Sequence, residues 1–297
     1  MGDRRTRLFK GLDLAARLNA ESRALAAGLD TPPACLVLAD RGNAGARAYS
    51  DRQAATAAQA GIDMRIADYA GTVAEINAQF DAIAADGDID AALMLLPLPH
   101  GCDPVEAALR LGPEKDVDGL HPHNSGRLAA GLPARPPATA MACLLCAEEI
   151  FGTLRGLDVT IVGASRIVGR PLATLLLDAE ATVTLCHVAT RDLAAHTRQA
   201  DLVVSAAGVP GLIGAGHLKP GAAVLDVAVT STPHGLRGDV DLAAVDGHAG
   251  VVSHVPDGVG PVTTACLFRN VVEAARAGRR PPAQGSKTAH RHIEGSP

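Results

Sequence analysis

The sequence predicts an α/β protein of two domains, each built on a parallel β-sheet covered by helices. Short runs rich in Val, Ile and Leu alternate with Ala-rich stretches of helical length, a pattern typical of buried parallel strands wrapped by helices. The 297 residues exceed the usual size of one domain. Residues 112–137 are rich in Gly and Pro and lack periodicity, which predicts a long loop near a domain boundary.

The N-terminal half is predicted to form a three-layer α/β domain over residues 1–138. It is expected to open with a helix near residues 6–29, because apolar residues recur there at helical spacing. Three short apolar runs predict strands, and the Ala-rich segments between them predict helices. The strands are expected at 34–39, 63–69 and 91–98, and the helices near 47–60 and 73–85.

The C-terminal half repeats this alternation, which predicts a Rossmann-like domain over residues 139–278. Its closing helix, at 263–278, is expected to pack back on the N-terminal domain. The polar and Pro-rich residues 279–297 predict a disordered tail. The remaining strands are expected at 158–163, 182–187, 202–206, 222–227 and 250–255, and the helices near 139–151, 168–178 and 192–199.

Composition narrows the class of partner to a small molecule. The formal charge is −5, Trp is absent and only six residues are Phe or Tyr, so neither a polyanion nor a stack of bases is expected as a ligand. No apolar run approaches the ~18 residues of a membrane span. Six cysteines without a secretory leader predict free thiols in a reducing cytoplasm. No metal is expected at Cys143-x-x-Cys146 or His121-x-His123, since neither has a matching ligand pair.

A glycine-containing turn joins a predicted strand to a predicted helix at residues 163–171. Such a turn lets a phosphate approach backbone N–H groups at a helix N-terminus, although a purely structural tight turn is the alternative. The following strand ends without the Asp or Glu that would mark an NAD ribose site, so NAD and NADP both remain open. The predicted cofactor-binding residues lie here and at the ends of later strands: Gly163, Ala164, Ser165, Arg166, Ile167, Val168, Gly169, His187, Val188, Ala207, Gly208, Ala228 and Val229.

A second set of candidate residues follows the strands of the first half. Leu96–Pro99 ends a predicted strand, and Asp118 lies in the long loop between Pro and Gly residues. Since open α/β sheets bind ligands at the carboxyl ends of their strands, both segments are expected to face a cleft between the domains. Asp118 is suited to accept paired hydrogen bonds from an amino-heterocycle, with a solvated loop acid as the alternative.

Six segments of the sequence, taken in order, resemble the methylenetetrahydrofolate dehydrogenase/cyclohydrolase family, and the resemblance covers almost the whole chain to about Gly278. The resemblance implies a two-domain homodimer that oxidises 5,10-methylenetetrahydrofolate with NADP or NAD and then hydrolyses the methenyl product to 10-formyltetrahydrofolate. The folate would lie in the interdomain cleft and the dinucleotide on the second domain. The blocks that carry the resemblance are residues 96–99, 113–119, 124–128, 162–171, 238–241 and 255–263.

The resemblance also implies roles for individual residues. Asp118 would hold the pterin ring, and Tyr49 would stack near the folate. Together with Gln53, these two form the predicted catalytic set. The substrate pocket implied by the family pattern is completed by Leu95, Pro97, Pro261 and Val262.

Several positions depart from the family pattern. Gln53 stands where the pattern Y-x-x-x-K has its catalytic lysine, and Leu95 stands where that lysine has a glutamine partner. Because glutamine does not titrate, the hydrolytic step is placed in doubt. Arg166 or Arg191 could replace a charge lost from the cofactor site. The other departures are Ala164 for arginine, Val188 for serine, Ala138 and Ala140 flanking Thr139 in place of Cys and Pro, and Asp257 for glycine.

Three functions therefore stay open at the level of sequence. The leading hypothesis is an enzyme that transfers hydride from a reduced one-carbon folate to a nicotinamide dinucleotide. A relative without catalytic activity that retains folate or nucleotide binding is the second. The third is a dehydrogenase for a related pterin, since Leu95 makes the expected pocket more apolar.

Overall fold

The computed structural model describes residues 5–233 and 235–279. The predicted tail beyond Arg279 lies outside the described residues. The first half contains, in chain order, β1 (Arg7–Phe9), α1 (Leu12–Ala26), β2 (Ala34–Ala39), α2 (Ala44–Gln59), β3 (Asp63–Asp68), α3 (Val73–Ala85), β4 (Ala91–Met94), α4 (Pro104–Leu111), α5 (Pro122–Ala129) and α6 (Ala138–Phe151). The second half contains β5 (Asp158–Val162), α7 (Gly169–Asp178), β6 (Thr182–Cys186), α8 (Leu193–Thr197), β7 (Leu202–Ser205), a 3₁₀ turn (Ala215–His217), β8 (Ala223–Asp226), β9 (Thr230–Thr232), β10 (Gly235–Arg237), α9 (Leu242–Val245), β11 (Val251–Ser253) and α10 (Val259–Gly278).

The first sheet is parallel, with strand order β3-β2-β4. Alternate residues of its strands face opposite helical layers, as the twofold period of a strand requires. Leu38 and Met94 pack with Phe80 of α3, whereas Val37 and Leu93 belong to the main core, which also contains α1 and α10. The domain is therefore a three-layer α/β unit.

The second sheet has six parallel strands in the order β1-β11-β8-β7-β5-β6. Helices α6 and α7 bury one face in the main core, and a separate apolar cluster that includes Val203, Val224 and Ile213 covers the other. This is a Rossmann-like arrangement, and the predicted two-domain α/β fold is confirmed. No helix among the described residues is both long and apolar enough to cross a bilayer.

The first strand of the chain belongs to the second sheet, which the sequence analysis did not anticipate. Residues 7–9 were expected to lie in the opening helix of the N-terminal domain, but they pair with β11 in parallel, and the helix begins at Leu12. The chain turns between them at Gly11, where a Cβ would lie 2.2 Å from the carbonyl oxygen of Gly258. This tight approach ends the strand and redirects the chain into the first domain.

The long segment predicted as a loop contains helix α5. Its eight residues are too few to show a helical period, and its start is fixed by Pro122 at the first turn and by His121 at the cap. The Nδ1 atom of His121 accepts a hydrogen bond from the backbone N–H of His123, 3.0 Å away. The His-x-His pair is thus a helix cap. The sequence analysis also missed the short elements α4, α9, β9 and β10.

Helix α10 connects the two domains. It leaves the second sheet after β11 and packs along α1 and α6, with further contacts to β2 and β4 of the first sheet. Its buried Asn270 donates from Nδ2 to the carbonyl oxygens of Val117 and Pro136, at 2.8 and 3.1 Å. The residue before Asp118 and the end of the segment 112–137 are therefore both attached to this helix.

Candidate functional site

Tyr49, Gln53 and Asp118 form one wall of the candidate site, called here the first wall. Tyr49 and Gln53 lie one turn apart on α2, so their side chains share a face of the helix. The Nε2 atom of Gln53 donates to the Tyr49 hydroxyl at 2.9 Å. Gln53 is only 4% exposed, and its Oε1 atom has no hydrogen-bond partner in the described part of the chain. A buried amide oxygen is thus left without a donor.

Asp118 is half-buried beside Tyr49. Burial, followed by the neighbouring carboxylate of Asp116, raises the pKa of Asp118 to about 7. Desolvation and then the charge of Asp118 raise the pKa of Tyr49, against the opposing effects of Arg52 and Gln53. Among the described residues, nothing donates a hydrogen bond to the Asp118 carboxylate. It is a suitable acceptor for a ligand with adjacent N–H groups.

The loop around Asp118 is rigidly held. The buried Asp116 accepts hydrogen bonds from the backbone N–H groups of Leu120 and His121, at 3.1 and 2.8 Å. Arg135 donates to the carbonyl oxygen of Asp116 at 2.9 Å. Gly119 has φ +67°, and a Cβ there would lie 2.6 Å from the backbone nitrogen of Pro137, so no other residue fits this turn. The direction of Asp118 is therefore fixed before any ligand binds.

The remaining predicted substrate residues differ in how far their side chains are exposed. Leu95 is half-buried and packs against the main core, while Pro97 is exposed and Pro261 half-buried. Val262 is fully buried, because α10 already begins at Val259 and turns the Val262 side chain towards Gly11. The expectation that Val262 lines an open cleft does not fit this burial.

A groove of about 640 Å³ lies between the two domains. Leu96 and Leu120 line it on the first domain together with residues of α4 and α5, and Arg166 and Ile167 line it on the second domain. The groove is called here the interdomain cleft, and Asp118 of the first wall is two residues along the chain from its lining residue Leu120.

The second wall, as the term is used here, consists of residues 163–169, of which Arg166 and Ile167 line the groove, and of residues 206–209, which pack against Gly163. Gly163 has φ +115°, and a Cβ there would lie 2.4 Å from the carbonyl oxygen of Ala206. A Cβ at Gly169 would lie 1.8 Å from the carbonyl oxygen of Gly163. These contacts leave no room for a side chain at either glycine, so the turn before α7 presents bare backbone, which suits the pyrophosphate of a dinucleotide.

The other predicted cofactor residues lie at the carboxyl ends of β6, β7 and β8. His187, Val188, Ala207, Gly208 and Val229 are exposed there, and Ala228 is half-buried. Sequence reasoning missed Asp226 and Asp239, two carboxylates buried beneath these strand ends. The Gly-Asp-Val-Asp context of Asp239 and the position of Asp226 at the end of β8 are the signals that could have drawn attention to them.

No group of three or more potential metal ligands occurs among residues 5–233 and 235–279. The six cysteines all lie in this part of the chain, and none forms a disulfide. Cys143 and Cys146 lie on the buried face of α6, where burial raises the thiol pKa values of both. Such protonated thiols act as small apolar side chains.

A parallel six-stranded sheet with a phosphate-type turn, beside a groove shared with a second α/β domain, is the architecture of a dinucleotide-binding protein. Two protein-family models match this chain. Residues 9–118 match "Tetrahydrofolate dehydrogenase/cyclohydrolase, catalytic domain", and residues 137–279 match "Tetrahydrofolate dehydrogenase/cyclohydrolase, NAD(P)-binding domain". The chain belongs to the tetrahydrofolate dehydrogenase/cyclohydrolase family. The family resemblance inferred from the sequence is therefore confirmed.

Individual relatives are similar to this chain over nearly their whole length. The bifunctional protein FolD of Parafrankia sp. (strain EAN1pec) is 42% identical over 273 residues, which are 91% of this chain and 99% of the relative. The FolD structure from Campylobacter jejuni superposes with a TM-score of 0.87 at 33% identity, covering 92% of this chain and 99% of that one. The Trypanosoma brucei enzyme, solved with NADP and an inhibitor, gives a TM-score of 0.83 at 31% identity and coverages of 93% and 99%.

Proposed function

We propose that this protein oxidises 5,10-methylenetetrahydrofolate to 5,10-methenyltetrahydrofolate with a nicotinamide dinucleotide. The observation that carries the proposal is a groove between the domains that is lined by Arg166 and Ile167 of the phosphate-type turn and by Leu120, two residues along the chain from the partnerless carboxylate of Asp118. A bound nicotinamide ring supplies the hydride acceptor in such chemistry. The chain supplies orientation, which accounts for much of the rate enhancement when two reactants must meet at near-attack distance.

Asp118 is the proposed anchor for the pterin ring. In its ionised form it accepts charge-assisted hydrogen bonds from the pterin amino and ring N–H groups. Tyr49 is the proposed neighbour of the folate, since its side chain is 45% exposed and can stack. Because Gln53 donates to the Tyr49 oxygen, the hydroxyl proton of Tyr49 is available to an acceptor in the cleft.

The hydrolytic half of the family's activity is proposed to be weak or absent. Gln53 occupies the position at which the family pattern has its lysine, and an amide neither accepts nor releases a proton in the working pH range. General acid–base assistance is typically worth ~10²–10⁴-fold. Hydride loss from the methylene carbon needs no such group, because the folate's own nitrogen lone pair expels it. Oxidation therefore tolerates Gln53 better than hydrolysis does.

The test is a spectrophotometric assay of the purified protein with 5,10-methylenetetrahydrofolate and each dinucleotide. We expect reduced dinucleotide to form while methenyltetrahydrofolate accumulates, because its conversion to the formyl product stays near the uncatalysed rate. Failure to oxidise the substrate, combined with retained folate binding, would leave the catalytically silent relative as the better description. Oxidation of another reduced pterin alone would favour the third hypothesis.

A homodimer and a cytoplasmic location belong to the same proposal. The exposed apolar side chains of Val229 and Leu236, at the β9 and β10 hairpin, support a contact between two copies. The unpaired thiols support a reducing compartment. Light scattering of the eluted protein tests the dimer directly, with twice the chain mass as the expected result.

A further inference from the structure

Two carboxylates are buried beneath the second wall without a cationic partner among the described residues. Asp239 is 0% exposed and Asp226 is 5% exposed. A buried carboxylate is costly unless several hydrogen bonds compensate for the lost water. The residues that supply these bonds therefore indicate what the two carboxylates hold in place.

Asp239 holds the loop that follows β7. Its Oδ2 atom accepts hydrogen bonds from the Ser205 hydroxyl at 2.8 Å and from the backbone N–H groups of Ala207 and Gly208 at 2.8 and 3.2 Å. Its Oδ1 atom accepts from the backbone N–H of Val209 at 2.7 Å. Three consecutive backbone donors thus converge on one side chain, which defines the conformation of residues 206–209.

Asp226 holds Asp239 in turn. Its carboxylate accepts hydrogen bonds from the backbone N–H groups of Asp239 and Val240 at 2.8 and 3.0 Å. A Cβ on Gly238 would lie 2.0 Å from the Asp226 carboxylate, so only glycine admits this approach. Burial raises the pKa of Asp226 to about 6, although the two backbone bonds oppose the shift. The end of β8 and the segment 238–240 are thereby tied together.

The loop held by Asp239 is packed directly against the phosphate-type turn. The carbonyl oxygen of Ala206 lies where a Cβ of Gly163 would make a 2.4 Å contact. A displacement of residues 206–209 would therefore alter the space beside Gly163. The carbonyl groups of Ala207 and Gly208 accept no hydrogen bond from the described residues, while their N–H groups point inward to Asp239.

We propose that Asp239 is a positioning residue that makes the carbonyl groups of Ala207 and Gly208 available to a hydroxyl- or amide-bearing part of the dinucleotide. With its N–H groups committed to Asp239, the loop offers acceptors and recognises ribose hydroxyls or a carboxamide. The phosphates are left to the backbone N–H groups of the Gly163 turn. The proposal rests on dinucleotide binding as part of the proposed function.

The experiment measures binding of NAD and NADP by calorimetry in the Asp239→Asn variant. An amide has one acceptor oxygen in place of two and turns an N–H₂ group towards the backbone donors. We expect the dissociation constant of the preferred dinucleotide to rise tenfold or more and that of the folate substrate to change less than twofold. In steady-state assays the dinucleotide KM should rise more than kcat falls.

The matched control is Asp241→Asn, two residues away. Asp241 caps α9 by accepting a hydrogen bond from the backbone N–H of Ala244 and touches neither loop of the second wall. It should leave dinucleotide binding unchanged. Ser205→Ala removes a single donor from Asp239 and keeps the test decisive if Asp239→Asn does not fold. Ser205→Ala should weaken dinucleotide binding about twofold to fivefold with a melting temperature close to that of the wild type.

Wild-type affinity for the dinucleotide in Asp239→Asn, or in Ser205→Ala where Asp239→Asn does not fold, would overturn the proposal. Equal losses of folate and dinucleotide binding, together with a lower melting temperature, would also overturn it, because they indicate general loosening. Dinucleotide binding without turnover in the wild type would instead refute the proposed function and leave this inference standing. A wild-type protein that binds neither dinucleotide would refute both.

Discussion

The two walls of the cleft differ in the groups that form them: side chains form the first wall and backbone forms the second. The first wall depends on side chains, Tyr49, Gln53 and Asp118, and two of its polar groups, the Gln53 Oε1 atom and the Asp118 carboxylate, have no partner among the described residues. The second wall depends on backbone, with glycines at positions that admit no Cβ and a carboxylate whose hydrogen bonds are filled. One substitution can change the chemistry of the first wall, because its polar groups belong to side chains. The second wall loses its ligand contacts only when the backbone conformation changes.

This difference explains why oxidation and hydrolysis need not be lost together in this family member. Hydride transfer requires two reactants to be held against each other. The proposed folate anchor, Asp118, and the proposed dinucleotide site at the Gly163 turn are both present. Hydrolysis requires in addition a group that moves a proton. The family resemblance predicts that group and its amide partner at the positions of Gln53, in the first wall, and Leu95, after β4.

The largest effect is expected from a change to the backbone of the second wall. Gly169→Val places a side chain where even a Cβ would lie 1.8 Å from the Gly163 carbonyl oxygen, so the turn cannot keep its path. We expect dinucleotide binding to fall below detection by calorimetry and the melting temperature to drop. Gly216→Ala is the control, since a Cβ there meets nothing within 4 Å. Full binding by Gly169→Val would contradict the backbone description of this wall.

The next largest effect is expected from a change to the side chains at and beside the first wall. The double variant Gln53→Lys, Leu95→Gln places a titratable group at the buried position on α2 and an amide at the half-buried position after β4. We expect hydrolysis of methenyltetrahydrofolate to rise by ~10²-fold or more over the parent protein. Gln53→Leu with Leu95 unchanged should show no gain. Family-typical hydrolysis by the unmodified protein would mean that another residue has taken the lysine's role.

The same contrast explains which features the sequence could predict. The apolar strands β2 and β5 and the glycine turn were predicted within one residue because burial and turn geometry leave direct local signals. The pairing of β1 with β11 was missed because it joins residues more than 240 positions apart and three residues carry no period. The burial of Val262 followed from a helix start four residues earlier than predicted. The partners of Asp239 are equally non-local, so its role needed coordinates.

A smaller loss is expected at the anchor of the first wall. Asp118→Ala removes the acceptor for the pterin N–H groups, and an unsatisfied buried donor costs about 1–3 kcal/mol. Folate binding should weaken about tenfold, while dinucleotide binding stays nearly unchanged. Isothermal titration of each ligand into the variant measures both constants. Equal losses for the two ligands, or no loss for either, would argue against Asp118 as the anchor.

The raised pKa of Asp118 predicts a pH dependence with a defined sign. Since the folded-state pKa of about 7 exceeds the ordinary value of 3.8, the folded protein binds the extra proton between these values and its stability falls as pH rises through that window. Asp118→Asn lacks this dependence, so its melting temperature should exceed that of the wild type at pH 8 and converge with it near pH 4. Folate affinity of the wild type should increase severalfold from pH 6 to pH 8. A stability gap that narrows with rising pH would contradict the assignment.

The smallest difference is expected between NAD and NADP. A 2′-phosphate needs a cationic or multiply donating partner. Ala164 in the second wall and the fully exposed Val188 after β6 stand at the two positions where an arginine and a serine are expected from the family resemblance. The pyrophosphate contacts at the Gly163 turn serve both dinucleotides alike. We therefore expect NAD to bind at least as tightly as NADP when each is titrated into the protein. A preference for NADP of tenfold or more would contradict this expectation. If Arg191→Gln or Arg166→Gln abolished that preference and Arg198→Gln, at the residue that follows α8, did not, a neighbouring arginine would be shown to reach the phosphate.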